Sequence, residues 1–398
     1  MKIAGIVAEY NPFHNGHAFQ IAKTREAGAT HIVAVMGGNY LQRGSAAQFE
    51  KHIRAEAALH CGADLIIELP LPYALSTAER FAVGALTLLQ ALGCIDMVCF
   101  GAESALEQLQ PLANALLTDE LAPRIKYHLS LGLTFAKARQ LALEEHFSKE
   151  QAAVIASPNN ILGIEYLKAA KRFGFTPEFC TVQRKGTAHD SEKINGAFAS
   201  ASMLRNLMDA QGLIGLRPYV PAQAYEIYRR AQTEGLVPAD FKKAECSLLA
   251  VLRRMNPEEF AALPDISEGL ENRLYTAIRR ADTVENLQMA VKSKRYPLAR
   301  IRRLILSAYL GITEADALIS PPYLRVLGFN KNGLDILNRA KKSAVLPLSS
   351  SLAQLERVNS DCKRIAKLEA SSTDLYALTL PNILACGYEY TCKPVMLK

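Results

Sequence analysis

Over its first hundred residues the chain alternates short apolar runs with longer stretches that mix apolar and polar positions at helical spacing. The runs at 3–8, at 31–37 (HIVAVMG), at 64–70 (DLIIELP) and at 96–104 (DMVCFGAES) have the length and β-branched content of buried strands. The intervals 17–27, 48–60 and 77–92 read as helices. Strands alternating with helices of this length predict right-handed βαβ crossovers and a parallel sheet covered on both faces, an α/β fold of Rossmann-like type. From 105 to 150 the pattern is helical without a strand, which predicts a helical insertion. A helix signal (PNNILGIEYLKAAKRFG) and a strand signal (TPEFCTVQRKG) then return, and beyond about 215 the chain is mostly helical to the mid-340s. The expected organisation is a Rossmann-like domain over 1–215 followed by a mainly helical region over 216–398.

Composition narrows the class. A chain of 398 residues can bury a large core and is expected to form two or three units. With 49% apolar and 21% charged residues it is globular, and it offers neither a leader-like start nor a membrane-length apolar run, so a cytoplasmic place is expected. The eight cysteines form neither a CxxC pair nor a Cys/His array of zinc spacing, so they read as reduced, buried thiols and no protein-held metal is expected. A net charge of +7 favours a polyanionic partner.

Candidate chemistry begins at the first strand-to-helix turn, EYNPFHNGHAFQ, where free backbone N–H groups and the positive end of a helix can meet a phosphate. Gly16 lets the backbone close toward a ligand, and His14 and His17 can direct donors onto phosphate oxygens and stabilise charge on a transferred phosphorus. Far downstream, FASASMLRNL places Ser200 and Ser202 at a helix start with Arg205 one turn on. Such a stretch can cap its helix, cradle phosphates and bring one guanidinium onto them.

Together the two stretches resemble the HIGH-type nucleotidyltransferases, in which an N-terminal HxGH and a later Ser/Thr-rich stretch ending in arginine share one ATP. A closer resemblance spans nearly the whole chain. The segments GIVAEYNPFHNGHAFQI, AVMGGNYLQRG, GADLIIELP, AERFA, FGAES, PNNILGIEYLKA and YLRVLGFNKNG are similar to those of the bacterial tRNA(Met) cytidine acetate ligase family. The resemblance implies activation of acetate by ATP as acetyl-adenylate, followed by acetylation of N4 of the wobble cytidine of elongator tRNA(Met). It places the ATP loop on Val7, Ala8, Glu9, Tyr10, Asn11, Pro12, Phe13, His14, Asn15, Gly16, His17, Ala18, Phe19 and Gln20. It adds nucleotide contacts at Gly101, at Asn159 or Asn160, and at Arg184. In the first step His14, His17 and Arg205 would act with Mg²⁺ on the phosphates, and no covalent enzyme nucleophile is required. The loop MGGNYLQRG, with Gly37, Gly38, Asn39 and Arg43, is the candidate wall of the acetate pocket.

The RNA side rests on KSKRYPLARIRR, where Lys292, Lys294, Arg295, Arg300, Arg302 and Arg303 surround Tyr296. Such a cluster neutralises phosphates, and a splayed base can stack on an aromatic or guanidinium plane. The cluster favours RNA as the polyanion, the resemblance implies that this RNA is elongator tRNA(Met), and neither DNA nor a membrane is expected as a partner. A small-molecule adenylyltransferase would use the same two ATP elements, and an ATP-sensing RNA-binding protein would keep the nucleotide without releasing pyrophosphate.

Overall fold

The computed structural model describes residues 1–398 apart from 119, 184–195, 268 and 295. Its main sheet takes β1 (Ile3–Ala8), β2 (His31–Gly37), β5 (Leu65–Leu69), β6 (Met97–Ala102) and β7 (Glu178–Gln183) as parallel strands. A short antiparallel hairpin, β3 (Tyr40–Leu41) and β4 (Ser45–Ala46), lies outside that sheet. The chain runs outward from β1 through β2 to β5, then crosses back to place β6 and β7 on the other side of β1. The order therefore reverses at β1, and the carboxyl ends of β1 and β6 bound the crevice where such sheets bind ligands.

Both faces of the sheet are covered, as continuous apolar strands require. Val33, Val35, Leu65 and Ile67 face one way, into a core with Leu86 and Leu89 of the helix Ala78–Ala91 and Ile164 and Leu167 of the helix Pro158–Phe173. Ile32, Ala34, Met36 and Ile66, one position out of step, meet Ile53, Leu59, Leu204 and Ile227 on the opposite side. Between 105 and 150 the described residues carry helices at Leu106–Ala115, Ala122–Ser130 and Phe135–Glu144. A third core gathers the helices Glu245–Arg254, Leu270–Ile278, Leu298–Leu310 and Ser360–Ala377, and Tyr40, Leu71 and Leu75 enter it from the α/β side. No helix among the described residues is long and apolar enough to cross a membrane. The thiols divide: Cys94, Cys99 and Cys362 are buried, but Cys246 and Cys386 are exposed, so the reading of all eight as core residues holds only for part of the set.

The helical pattern after residue 215 concealed strands. β8 (Leu324–Phe329) joins the main sheet antiparallel to β5, with β9 (Leu348–Ser349) and β10 (Val395–Met396) beside it. β8 brings a fully buried arginine. Arg325 Nη1 lies 2.8 Å from Glu68 Oε2, and its Nη2 pairs with Glu389. Lys51 Nζ lies 2.5 Å from both Glu68 and Glu389, with Glu369 4.0 Å away. Burial would discharge the Lys51 ammonium, but Glu389 and Glu68 more than reverse this and hold its pKa well above the usual lysine value. Burial, reinforced by the charge of Glu68, pushes the Glu369 carboxyl up to about 8. At neutral pH two cations then face two carboxylates and a neutral acid, which is how such a group tolerates a dry interior.

That proton has a measurable consequence. The unfolded chain ionises Glu369 near the ordinary glutamate value, about 4.3, while the folded chain keeps it protonated up to about 8. Between those values the folded state binds more protons, so stability falls as pH rises. Urea midpoints of wild type should decline across this window, and Glu369→Gln should flatten the decline.

Candidate active site

The cleft at the carboxyl ends of β1 and β6 has a volume of about 220 Å³. Its floor begins with Val7, Ala8 and Glu9, and the chain then turns through Tyr10 (φ 51°) and Asn11 into the first helix, Asn15–Glu26. That helix starts in an unusual way. His14 is its N-cap, and its Nδ1 accepts the N–H of Gly16 at 3.0 Å, while Nδ1 of His17 accepts the N–H of His14 at 3.2 Å. The two rings stack, 3.7 Å between centroids and 24° between planes. A Cβ at Gly16 would come within 2.8 Å of the His14 ring, so only glycine permits this approach.

The cap sets the tautomer. An Nδ1 that accepts a backbone N–H carries no hydrogen, so each neutral ring bears its hydrogen on Nε2. Both imidazoles line the cleft and offer donors there, beside the positive end of a helix with no acidic residue in its first turn. Asn11 adds another donor. It is buried, its Oδ1 accepts the N–H of Gln48 at 3.0 Å, and its Nδ2 has no hydrogen-bond partner among the described residues.

The second stretch reaches the same cleft. Ser200 caps the helix Ala201–Gln211 by accepting the N–H of Met203 at 3.2 Å. One turn on, Arg205 donates through Nη1 to the carbonyl of Asn11 at 3.1 Å and through Nη2 to Ser202 Oγ at 3.1 Å. Ser202 and Arg205 line the cavity with His14 and His17. The guanidinium is thus bonded directly to the loop that carries the imidazoles.

Of the other expected contacts, Tyr10, Gly16, Phe19, Gln20, Gly101 and Asn159 line the cleft. Pro12, Phe13, Asn15, Ala18, Asn160 and Ser200 do not, and each has a structural occupation instead. Phe13 is wholly buried, its N–H donating to the Tyr228 hydroxyl at 2.8 Å, and Pro12 is buried beside it. Asn15 donates to the carbonyls of Ala197 and Pro218, Ala18 packs on the core, and Ser200 is spent on its cap. Geometry separates the two asparagines. Asn160 Oδ1 accepts the N–H groups of Glu103 and Ser104, and its Nδ2 donates to Ser104 Oγ and the Val154 carbonyl, so it staples the loop after β6. Arg184 and Arg295 lie outside the described residues.

Gln42 and Arg43, from the hairpin, close one wall of the cleft; the glycines of that loop do not reach it, and Gly38 packs instead against Glu68. Sequence reasoning missed the aromatic wall of Phe81, Phe100, Tyr166 and Phe198. Phe81 stands in the AERFA segment and Phe100 in the strand before Gly101, so their position beside motif residues was the available signal. Burial and the charge of Glu9 hold the Tyr166 phenol far above its ordinary value, so it stays protonated.

The basic segment divides as well. Lys292, Lys294 and Arg302 are exposed. Arg300 and Arg303 are half-buried and pair with Asp265 at 3.3 and 3.6 Å. Tyr296 is only 7% exposed, with the Arg300 guanidinium 5.4 Å over its ring, so the expected aromatic stacking platform is a core residue.

The fold and this cleft define a nucleotidyl transferase of the HIGH type, and the family model HIGH Nucleotidyl Transferase matches residues 1–388. The chain is 38% identical over 397 residues to the tRNA(Met) cytidine acetate ligase of Thermoanaerobacter sp. (strain X514), covering 98% of each chain. It is 39% identical over 389 residues to that of Caldanaerobacter subterraneus subsp. tengcongensis, covering 96% of each. Two crystal structures of Thermotoga maritima TmcAL, apo and bound with alpha-thio ATP, superpose with TM-scores of 0.95 and 0.93 at 32% identity, over 100% of both chains. The chain belongs to the HIGH nucleotidyl transferases and, within them, to the tRNA(Met) cytidine acetate ligase family.

Proposed function

We propose that this protein uses ATP to activate acetate and then acetylates N4 of the wobble cytidine of elongator tRNA(Met). The observation that carries the reading is the convergence of His14, His17 and Arg205 on one cleft, although nearly half the chain separates them. An acetate oxygen attacks the α-phosphorus of ATP, pyrophosphate leaves, and acetyl-adenylate forms. The Nε2–H groups of His14 and His17, the Asn11 amide and the Arg205 guanidinium stabilise charge on the phosphates. The aromatic wall excludes water from the mixed anhydride. Mg²⁺ would be carried largely by the phosphate oxygens of ATP, as is usual for this ion. When bound with ATP it would offset phosphate charge.

We assign tRNA to the face around Lys292, Lys294 and Arg302, within a mainly helical region that follows the catalytic one. This face adjoins the site. Gly44, in the turn of the hairpin, packs so closely on Arg302 and Arg303 that a Cβ there would come within 2.5 Å of the Arg302 Cβ. The neighbouring Gln42 and Arg43 line the cleft.

Incubation with ATP, labelled acetate and total tRNA should place label in tRNA without acetyl-CoA. Label that never reaches RNA would reject the proposal, and pyrophosphate release dependent on a different small acceptor would replace it with an adenylyltransferase. Combined reversal of Lys292, Lys294 and Arg302 to glutamate should weaken tRNA binding at least tenfold and lower the salt slope of log K by about 1 for each phosphate no longer neutralised. Binding of an ATP analogue by the same variant, followed by calorimetry, should be unchanged.

A further inference from the structure

The cleft is built for anions, yet it contains a carboxylate. Among the described residues lining it, Glu9 is the sole acid, set against His14, His17, Arg43 and Arg205. A triphosphate and acetate are both repelled by such a group, so its presence calls for a partner that is not an anion.

Its position indicates which one. Glu9 directly follows β1, and its backbone carbonyl accepts a bond from the buried Arg54. Oε1 accepts the backbone N–H of Gln42 at 2.9 Å, while Oε2 has no hydrogen-bond partner among the described residues. Gln42 belongs to the hairpin that rests on the basic helix start, where Arg303 Nη1 approaches the Gln42 carbonyl at 3.5 Å. Of the phosphate donors, His14, His17 and Arg205 lie along the starts of the helices Asn15–Glu26 and Ala201–Gln211, with Asn11 in the turn before the first. The carboxylate therefore stands on the wall that backs onto the RNA face.

We propose that Glu9 is the proton acceptor of the acetyl-transfer step, a role that rests on the function proposed above. The exocyclic amine of a cytosine is a weak nucleophile because its lone pair is delocalised into the ring. As that nitrogen attacks the carbonyl carbon of acetyl-adenylate, a carbon–nitrogen bond forms and the bond from the carbonyl carbon to the AMP oxygen breaks. AMP departs with the electron pair, and the proton shed by the nitrogen passes to the Glu9 carboxylate. A carboxylate within reach of the amine is suited to this work.

Glu9→Gln separates this role from a purely architectural one, because the amide oxygen can still accept the Gln42 N–H. Two rates are measured with the full-length protein: acetate-dependent exchange of labelled pyrophosphate into ATP, and single-turnover transfer of acetyl from preformed acetyl-adenylate to tRNA. Transfer should fall by about 100-fold or more, the range associated with a positioned acid or base, and by at least tenfold more than exchange, which draws on the same cleft. Glu9→Asp, which keeps the carboxylate but withdraws it, should transfer at a rate between the two. Equal losses in both rates, or normal transfer by Glu9→Gln, would overturn the assignment. Absence of acetate-dependent exchange in wild type would instead remove the acetate reading.

Discussion

Replacement of His14 by asparagine is expected to leave the protein folded and to cut acetate-dependent pyrophosphate exchange by about 100- to 1,000-fold, the loss seen when one preorganised donor to a developing charge is removed. Asparagine is chosen because it is among the best N-caps. Its side-chain oxygen can accept from the first turn of the helix Asn15–Glu26, as His14 Nδ1 does, so the cap survives. What disappears is the Nε2–H, which no amide at this position can reproduce at the same reach. The stacked partner ring of His17 also loses its platform at 3.7 Å. Exchange kinetics and a thermal melt on the same preparation check both halves. Wild-type exchange by a folded His14→Asn would remove the imidazole from the phosphate chemistry.

Lys51→Met should be the most damaging single change away from the cleft. Methionine nearly matches lysine in volume, so packing is little altered, but Glu68 would be left with Arg325 only, which it shares with Glu389. Removing one partner of a buried pair costs about 3–5 kcal/mol because the remaining charge stays without compensation. That is a large part of the roughly 5–15 kcal/mol by which a domain is usually stable. Urea denaturation at pH 7 measures it directly. A loss below about 1 kcal/mol would mean that the network is wet or readily reprotonated.

The parts of this molecule legible in the sequence are those set by local periodicity and by motif. β1, β2, β5 and β6 fall inside apolar runs whose shortness and β-branched content mark them as buried strands, and the helices between them follow from spacing. His14, Gly16 and His17 declare themselves because strand, turn and helix occur in order around them. What escaped depends on side-chain direction or on contacts far apart in sequence. Asn159 and Asn160 are neighbours on one helix start, and the roughly 100° step between successive helical positions sends one into the cleft and the other into the loop after β6. Tyr296 looks like a stacking residue among cations until tertiary packing turns it inward. β8 lies within a stretch whose spacing is mostly helical, and the carboxylates that neutralise its Arg325 come from residues 68 and 389.

That late strand bears on how the protein comes off the ribosome. Synthesis delivers Leu65–Leu69 some 250 residues before Leu324–Phe329, which pairs along its flank. Throughout that interval one margin of the nascent sheet is open, with its hydrogen-bonding groups exposed to other chains and Glu68 lacking the arginine that answers it. A truncated product ending near residue 215 would carry that sticky margin permanently, so premature termination should yield aggregates and not a smaller working enzyme.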